Sequence, residues 1–225
     1  MNMDLPEQFQ YFNNGNIEAY IENGILKIYN VRAFRRIVYD LTYILNGGKH
    51  YCLYCNKYIN NNKATLDHKY PRAMGGPTIT NNLICSCQKC NSEKSSLTYL
   101  EFITYIGIKE RDENFAKIYF NDCISSKDKF YQNRKYQIPE DWLSLIDISN
   151  IKLYGLDGSY TVASHRYLSA EKFYLQYGYF KNPIVVDKNF GLLDEYYEVM
   201  YAKNNNISTM PGIMLKNVEI VTKEN

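Results

Sequence analysis

Nowhere in the 225 residues does an uninterrupted apolar run approach the ~18 residues that a membrane-crossing helix needs, so no bilayer span is expected. Nor does one sign of charge prevail. The 26 basic and 24 acidic side chains leave a formal net charge of +2, and a whole-chain figure that small does not suggest a nucleic-acid partner. The first ten residues carry Asp4 and Glu7 where a secretion signal has positive charge ahead of an apolar stretch, which points to an intracellular, cytoplasmic protein. Internal repeats and low-complexity tracts are absent too. With 45% hydrophobic residues the chain is no disordered tail, and its length favours two small cores over one.

What is present is unevenly placed. Residues 1–29 carry a net charge of −3, residues 30–100 +7 and residues 101–225 −2, so the positive charge sits in one segment. The 23 tyrosines, with abundant Asn, Ile and Lys, reflect an AT-rich genome and say nothing about chemistry. Six cysteines without a secretion signal read as metal ligands rather than disulfides, because the cytosol keeps thiols reduced. Five of them lie between Cys52 and Cys90.

The pattern along the chain is mixed α+β. Ile17–Ile21 and Ile25–Tyr29 alternate around Asn23-Gly24, a hairpin signal. Val31–Leu45 places Phe34, Val38, Leu41 and Leu45 at helical spacing, with Arg32, Arg35 and Arg36 on its flank and Gly47-Gly48 at its end. Short strands and loops follow to Asn91. A second helix is expected over Ser92–Ile106, with Leu97, Leu100, Ile103 and Ile106 on its apolar face. Residues 107–143 are polar and weakly periodic and read as a connector. Beyond them, strands are expected at 148–154, 183–187 and 213–221 and helices at 169–177 and 195–203. The expected domains are thus a hairpin (1–30), a cysteine-bearing domain (31–106), the connector and a small α/β domain (144–225).

Cys52-Leu-Tyr-Cys55 and Cys87-Gln-Lys-Cys90 are two CxxC pairs. Two intervening residues let both sulfurs of a pair converge on one ion, and two pairs complete the tetrahedral thiolate shell of structural zinc. Four protein ligands leave no open position, so such an ion staples rather than reacts, and the cysteines alone favour a plain zinc ribbon with no activity. Between the pairs, Lys63–His68 reads as a strand ending in Asp67-His68. A loop with Pro71, Gly75, Gly76 and Pro77 follows, then Asn81-Asn82-Leu83-Ile84, and Asn91 stands directly after the second pair at a helix start. Polar groups at a strand end and a helix start can face one point.

In order and spacing, Cys52/Cys55, Asp67-His68, Pro71, Gly75-Gly76, Asn82-Leu83, Cys87/Cys90, Asn91 and Lys94 make residues 45–100 resemble the HNH endonuclease family. The resemblance implies a zinc-stapled ββα-metal, treble-clef-like nuclease domain, in which a hairpin and a helix hold one divalent cation against the scissile phosphate. It also implies roles: Asp67 and Asn91 as ligands of that cation, His68 as the general base, and Asn82 as the residue steadying the loop behind the histidine. The chemistry is compatible, since carboxylate and amide oxygens suit a hard ion such as Mg²⁺ or Mn²⁺. Imidazole titrates near neutral pH and can take a proton from water.

Arg32, Arg35, Arg36, Lys69, Arg72 and Lys89 would track phosphates, although solubility explains some of them equally well. Lys94, one turn into the helix, reads either as a phosphate contact or as a solvated lysine. Cys85 and Cys123 read as free, buried thiols, and His50 and His165 have no evident supporting partner. Residues 144–221 more weakly resemble the ParB/sulfiredoxin-like domain, on Ile148–Ile151, Tyr177–Phe180, Asn182–Asp187 and Leu192–Asp194. Glu195, Tyr196, Tyr197 and Glu198 stand where that family carries Gly with polar and Arg residues for phosphate, so a degenerate domain serving specificity, docking or regulation is expected, or one that only extends the core. The expected activity is metal-dependent cutting of DNA, possible partner proteins binding through the C-terminal part. The alternatives are a non-catalytic zinc-dependent DNA-binding module and a protein-interaction adaptor.

Overall fold

The computed structural model describes residues 1–60, 63–133, 136–156 and 164–222. In chain order the elements are β1 (Gln10–Asn13), β2 (Asn16–Glu22), β3 (Ile25–Ile28), α1 (Phe34–Leu45), β4 (Ala64–His68), β5 (Leu83–Cys87), α2 (Gln88–Lys94), α3 (Tyr99–Lys109), α4 (Glu113–Gln132), β6 (Ser144–Asp147), α5 (His165–Tyr177), β7 (Ile184–Asp187), β8 (Leu192–Asp194), α6 (Tyr196–Asn204), β9 (Thr209–Leu215) and β10 (Val218–Ile220). The fold is mixed α+β, and the chain divides into two compact units: 1–41, 79–81 and 139–225 form one, and 42–78 and 82–138 the other. No helix among the described residues is long and apolar enough to cross a membrane.

The first unit holds two four-stranded sheets. One runs β1-β2-β3-β10 and the other β6-β9-β7-β8. Two Asn-Gly turns shape the former: Asn14-Gly15 (φ 50° and 79°) and Asn23-Gly24 (φ 51° and 72°) both take the left-handed conformation that a two-residue hairpin turn demands. The segment read as a free-standing hairpin therefore has three strands, and β10 completes its sheet by pairing parallel with β3. In the second sheet β9 pairs antiparallel with β6 and parallel with β7, and every residue of β7 is buried. A strand buried on both faces reads as a continuous apolar run, which Ile184-Val185-Val186 supplies.

Several C-terminal boundaries differ from the sequence expectation. The strand expected at 148–154 is instead β6 at 144–147 followed by a 3-10 turn, because Asp147 accepts the backbone N–H of Ser149 at 2.8 Å and ends the strand. The helix expected from 169 starts at His165, capped by Ser164. The strand expected over 213–221 is two strands, β9 and β10, broken at Lys216-Asn217.

In the second unit β4 and β5 form an antiparallel hairpin in which Asp67 faces Ile84 and His68 faces Leu83. Helix α2 follows β5 directly. One continuous helix over 92–106 is not what forms: Ser95 takes a positive φ (53°) and closes α2, and a capping box of Thr98 and Glu101 opens α3. The buried face of α3 also differs, with Phe102 and Tyr105 inside while Leu100 is 72% exposed. Similarly, α1 buries Phe34, Ile37, Val38 and Leu41 and leaves Leu45 exposed. The stretch 107–143, read as a connector, is mostly helix α4. Glu101 anchors it by accepting the buried Lys127 ammonium at 2.7 Å on both oxygens. Residues 134 and 135 of that stretch lie outside the described residues.

A buried acidic group marks the start of α6. The Arg35 guanidinium donates through Nε to both Asp194 oxygens at 3.0 Å and lies 3.3 Å from Glu195, whose backbone is left-handed at φ 66°. Burial, then the Glu195 charge, push the neighbouring Glu198 carboxyl up to about 8. The folded chain thus holds this proton more firmly than the unfolded chain, where a glutamate titrates near 4.3. The stabilisation is complete below that value and is lost as pH rises towards 8. We expect Glu198→Gln to flatten the loss of stability between pH 5 and pH 8, read as urea midpoints across that range. A variant whose midpoints fall as steeply as those of the parent would contradict the assignment.

Candidate active site

The two CxxC pairs meet. Cys52 and Cys55 sit on a tight turn in which the Cys52 carbonyl accepts the Asn56 N–H at 2.8 Å and Asn56 takes a left-handed φ of 52°. Cys87 ends β5 and caps α2, its sulfur accepting the Cys90 N–H at 3.4 Å. All four sulfurs lie within 4.8 Å of one another. A tetrahedral zinc with bonds of about 2.3 Å separates its sulfurs by about 3.8 Å, so the cluster fits a structural zinc. Burial raises the Cys52 thiol, but backbone N–H donors of Cys87, Cys55 and Tyr54 outweigh it and bring the group down to about 7. Burial and the neighbouring cysteines push Cys90 the other way. Such a cluster is most stable with a cation to neutralise its thiolates. Cys85, two residues away on β5, is buried in the same apolar core but outside the cluster, and Cys123 is only partly buried.

Beside the cluster lies a buried ion pair. Lys94 has no solvent exposure. Its ammonium donates to Asp67 Oδ1 at 3.2 Å, lies 3.1 Å from Oδ2, and donates to the His68 carbonyl at 2.8 Å. The Tyr54 hydroxyl, from between the first two cysteines, donates to Asp67 Oδ2 at 2.5 Å. Burial, opposed by the Asp67 charge, lowers the Lys94 ammonium. Burial and Asp67 together raise the Tyr54 hydroxyl. Lys94 is therefore neither a solvated lysine nor a phosphate contact at the surface, because its charge is spent inside the protein on Asp67. Sequence reasoning also missed Tyr54, whose position inside a CxxC pair was the one available signal.

His68 follows Asp67 at the end of β4, and its Nε2 stands 3.1 Å from Thr78 Oγ1, which also accepts Arg72 Nη1 at 2.9 Å. Asn82 is fully buried. Its amide donates to the carbonyls of Pro77 (2.8 Å) and Tyr70 (3.1 Å), and its oxygen accepts the Tyr70 N–H at 2.8 Å. The loop it clamps needs both glycines. Gly75 is left-handed (φ 83°), and a Cβ on Gly76 would stand 1.8 Å from the Tyr70 carbonyl oxygen. Asn91, on the first turns of α2, donates its amide N–H to Thr65 Oγ1 at 3.1 Å, so its amide oxygen is turned away from that contact.

The basic residues differ in exposure and in partners. Arg36 and Lys89 are exposed, and Lys69 is half-buried, its N–H donating to the Asn82 carbonyl at 2.7 Å. Arg32 donates to the Gly155 carbonyl at 3.1 Å, and Arg35 is engaged by Asp194 and Glu195. Arg72 serves Thr78. Among the residues read as phosphate-tracking, Arg35 and Lys94 have their charge answered by carboxylates. His165 begins α5 at the surface, and His50 is exposed beside Tyr58.

The site thus comprises an antiparallel hairpin, the helix that follows it and four clustered sulfurs. Residues 52–103 match the model of the family described as HNH endonuclease. No curated protein matches the chain.

The Asp67–Lys94 pair yields a stability prediction. Removing one partner strands a buried charge, so Lys94→Met should cost about 3–5 kcal/mol in urea unfolding. Asp67→Asn combined with Lys94→Met should recover a large part of that. A Lys94→Met cost below about 1 kcal/mol would show that the pair does not form.

Proposed function

We propose that the chain is a metal-dependent endonuclease that hydrolyses DNA phosphodiester bonds. One observation carries the reading. β4 ends in Asp67-His68 while α2, pinned at its start by the cysteine cluster, lays Asn91 and Lys94 along the same strand. These residues all lie in the unit of residues 42–78 and 82–138, and the HNH match supports the class of reaction.

In this reading Zn²⁺ in the four-cysteine site is the staple, and the donors for a second cation are the Asp67 carboxylate and the Asn91 amide oxygen. Tyr54 and Lys94 use three of the four or so lone-pair positions of Asp67, so an acceptor position remains. The donor set is all oxygen, which suits Mg²⁺ or Mn²⁺. Such an ion, when bound, neutralises charge that develops on the phosphate. His68 takes the proton of the attacking water, with Thr78 and Arg72 fixing its ring plane, and Asn82 keeps the loop behind it in register. The products carry 5′-phosphate and 3′-hydroxyl ends. Lys69, Arg72 and Lys89 contribute to phosphate contact in this unit, and Arg32 and Arg36 do so in the other. The C-terminal part, resembling a degenerate ParB-like domain, acts in specificity, docking or regulation.

A second reading keeps its place because of the same ion pair. A carboxylate already neutralised by Lys94 attracts a divalent cation less than a bare one, which favours a non-catalytic zinc-dependent DNA-binding module. Plasmid nicking separates the two. We expect the parent to nick with Mg²⁺ or Mn²⁺ and His68→Ala to lose at least a hundredfold in rate while still binding DNA. A parent inert with every divalent metal would leave the binding module. Metal analysis should find one zinc per chain, and a chelator that strips it should unfold residues 42–138, read by circular dichroism. A cluster that binds no zinc would remove the staple.

A further inference from the structure

The hairpin that bears Cys52 and Cys55 shows an unusual outer face. His50, Tyr51 and Tyr58 lie within nine residues and all are exposed, Tyr58 by 68% and Tyr51 by 56%. Tyr51 and Tyr58 are cross-strand partners in an antiparallel bridge. Their ring centroids lie 5.8 Å apart with planes at 83°, while His50 lies nearly parallel to Tyr58 at 6.3 Å. The rings therefore steady one another without covering one another. The backbone beneath them is held by Ile59 N–H to the His50 carbonyl (2.7 Å), by Cys52 N–H to the Lys57 carbonyl (3.0 Å) and by the cysteine cluster.

Charge on this segment is of one sign. Lys49, Lys57 and Lys63 are exposed, and no Asp or Glu occurs from residue 41 to residue 66. Preordered ring faces flanked by lysines, free of carboxylates in sequence, match the chemistry of unpaired bases on a phosphate backbone. Each base offers a π-face to a ring and each phosphate a charge to a lysine. A duplex does not fit as well, because its bases already stack on each other and this turn presents rings rather than the donors and acceptors that read a groove.

We propose that the outer face of the first cysteine hairpin is a stacking platform for single-stranded nucleic acid, with Tyr51 and Tyr58 holding bases and Lys49 and Lys57 their phosphates. The platform rests on the nuclease reading only for its use during cutting: unpaired substrate, or a strand opened at the cut, would be the form presented. Binding itself does not depend on catalysis.

The test uses the full chain carrying His68→Ala and a fluorescein-labelled oligo-dT, with a hairpin duplex of equal length for comparison, followed by anisotropy at several salt concentrations. Tighter binding of the single strand is expected. Tyr51→Ala with Tyr58→Ala should weaken it about tenfold or more while zinc per chain stays unchanged. Tyr58→Phe should bind as the parent does, since the ring face rather than the hydroxyl makes the contact. Lys49→Ala with Lys57→Ala should reduce the salt slope by about 1.4. Equal affinity for both DNA forms, no binding of either at low salt, or tyrosine variants with full zinc that bind like the parent would each overturn the platform. A platform that passes while the unmutated chain fails to nick plasmid would sink the endonuclease reading alone.

Discussion

Four sulfurs gathered within 4.8 Å at the edge of an apolar core form the constraint on which the HNH-like unit depends. Thiols do not attract one another, and thiolates repel, so apolar packing alone has no reason to bring them together. Yet Cys52 and Cys90 are members of the same core as Ile59, Ile84, Leu97 and Phe102. A cation bound at the cluster would therefore be part of that core's packing, and its binding energy would be folding energy. The consequence reaches beyond the staple. Tyr54 stands between two of the cysteines and its hydroxyl rests on Asp67, so the turn that shapes the metal shell also fixes one carboxylate oxygen of the candidate site.

The Asp67–Lys94 pair gives the site a divided electrostatic character. A carboxylate held by an ammonium and a phenol is rotationally fixed, which suits a group that must present a ligand oxygen in one direction. The same ammonium sets a positive charge near the place where a divalent cation would sit. Which effect dominates depends on how much of the Lys94 charge is compensated by the Asp67 carboxylate and the His68 carbonyl, both within 3.2 Å. Geometry therefore favours a preordered ligand and charge opposes a tight one.

Much of this was legible from the sequence, and the failures have physical reasons. The cysteine pairs, Asp67-His68 on a strand end and the Asn23-Gly24 turn are local signals, and the structure places them where local rules put them. Asn14-Gly15 carries the same turn signal, yet β1 has no sequence signature, because Gln10-Tyr11-Phe12-Asn13 sets its two apolar residues side by side. The helical face of α3 was misread for a different reason. Leu97, Leu100, Ile103 and Ile106 recur every three residues, a spacing that drifts around a 3.6-residue helix, and the larger aromatics Phe102 and Tyr105 won the interior. The Thr98-to-Glu101 capping box would have moved that helix start to its true place. Lys94 could not have been placed from its neighbours in sequence, since its partner is 27 residues away. The acidic residues at 194–198 were legible as a departure from a phosphate site, but their pairing with Arg35 spans about 160 residues and leaves no local trace.

The parallel register of β10 on β3 has a kinetic side. Leu26 pairs with Val218 and Ile28 with Ile220, and the Met1 ammonium donates to the Met214 carbonyl at 2.7 Å. During vectorial synthesis the N-terminal strands emerge first but wait, with one edge unsatisfied, until nearly 200 further residues have left the ribosome. The segment from 42 to 138 emerges within that interval. Until β10 emerges, the outer edge of β3 offers unpaired backbone donors and acceptors to any other strand.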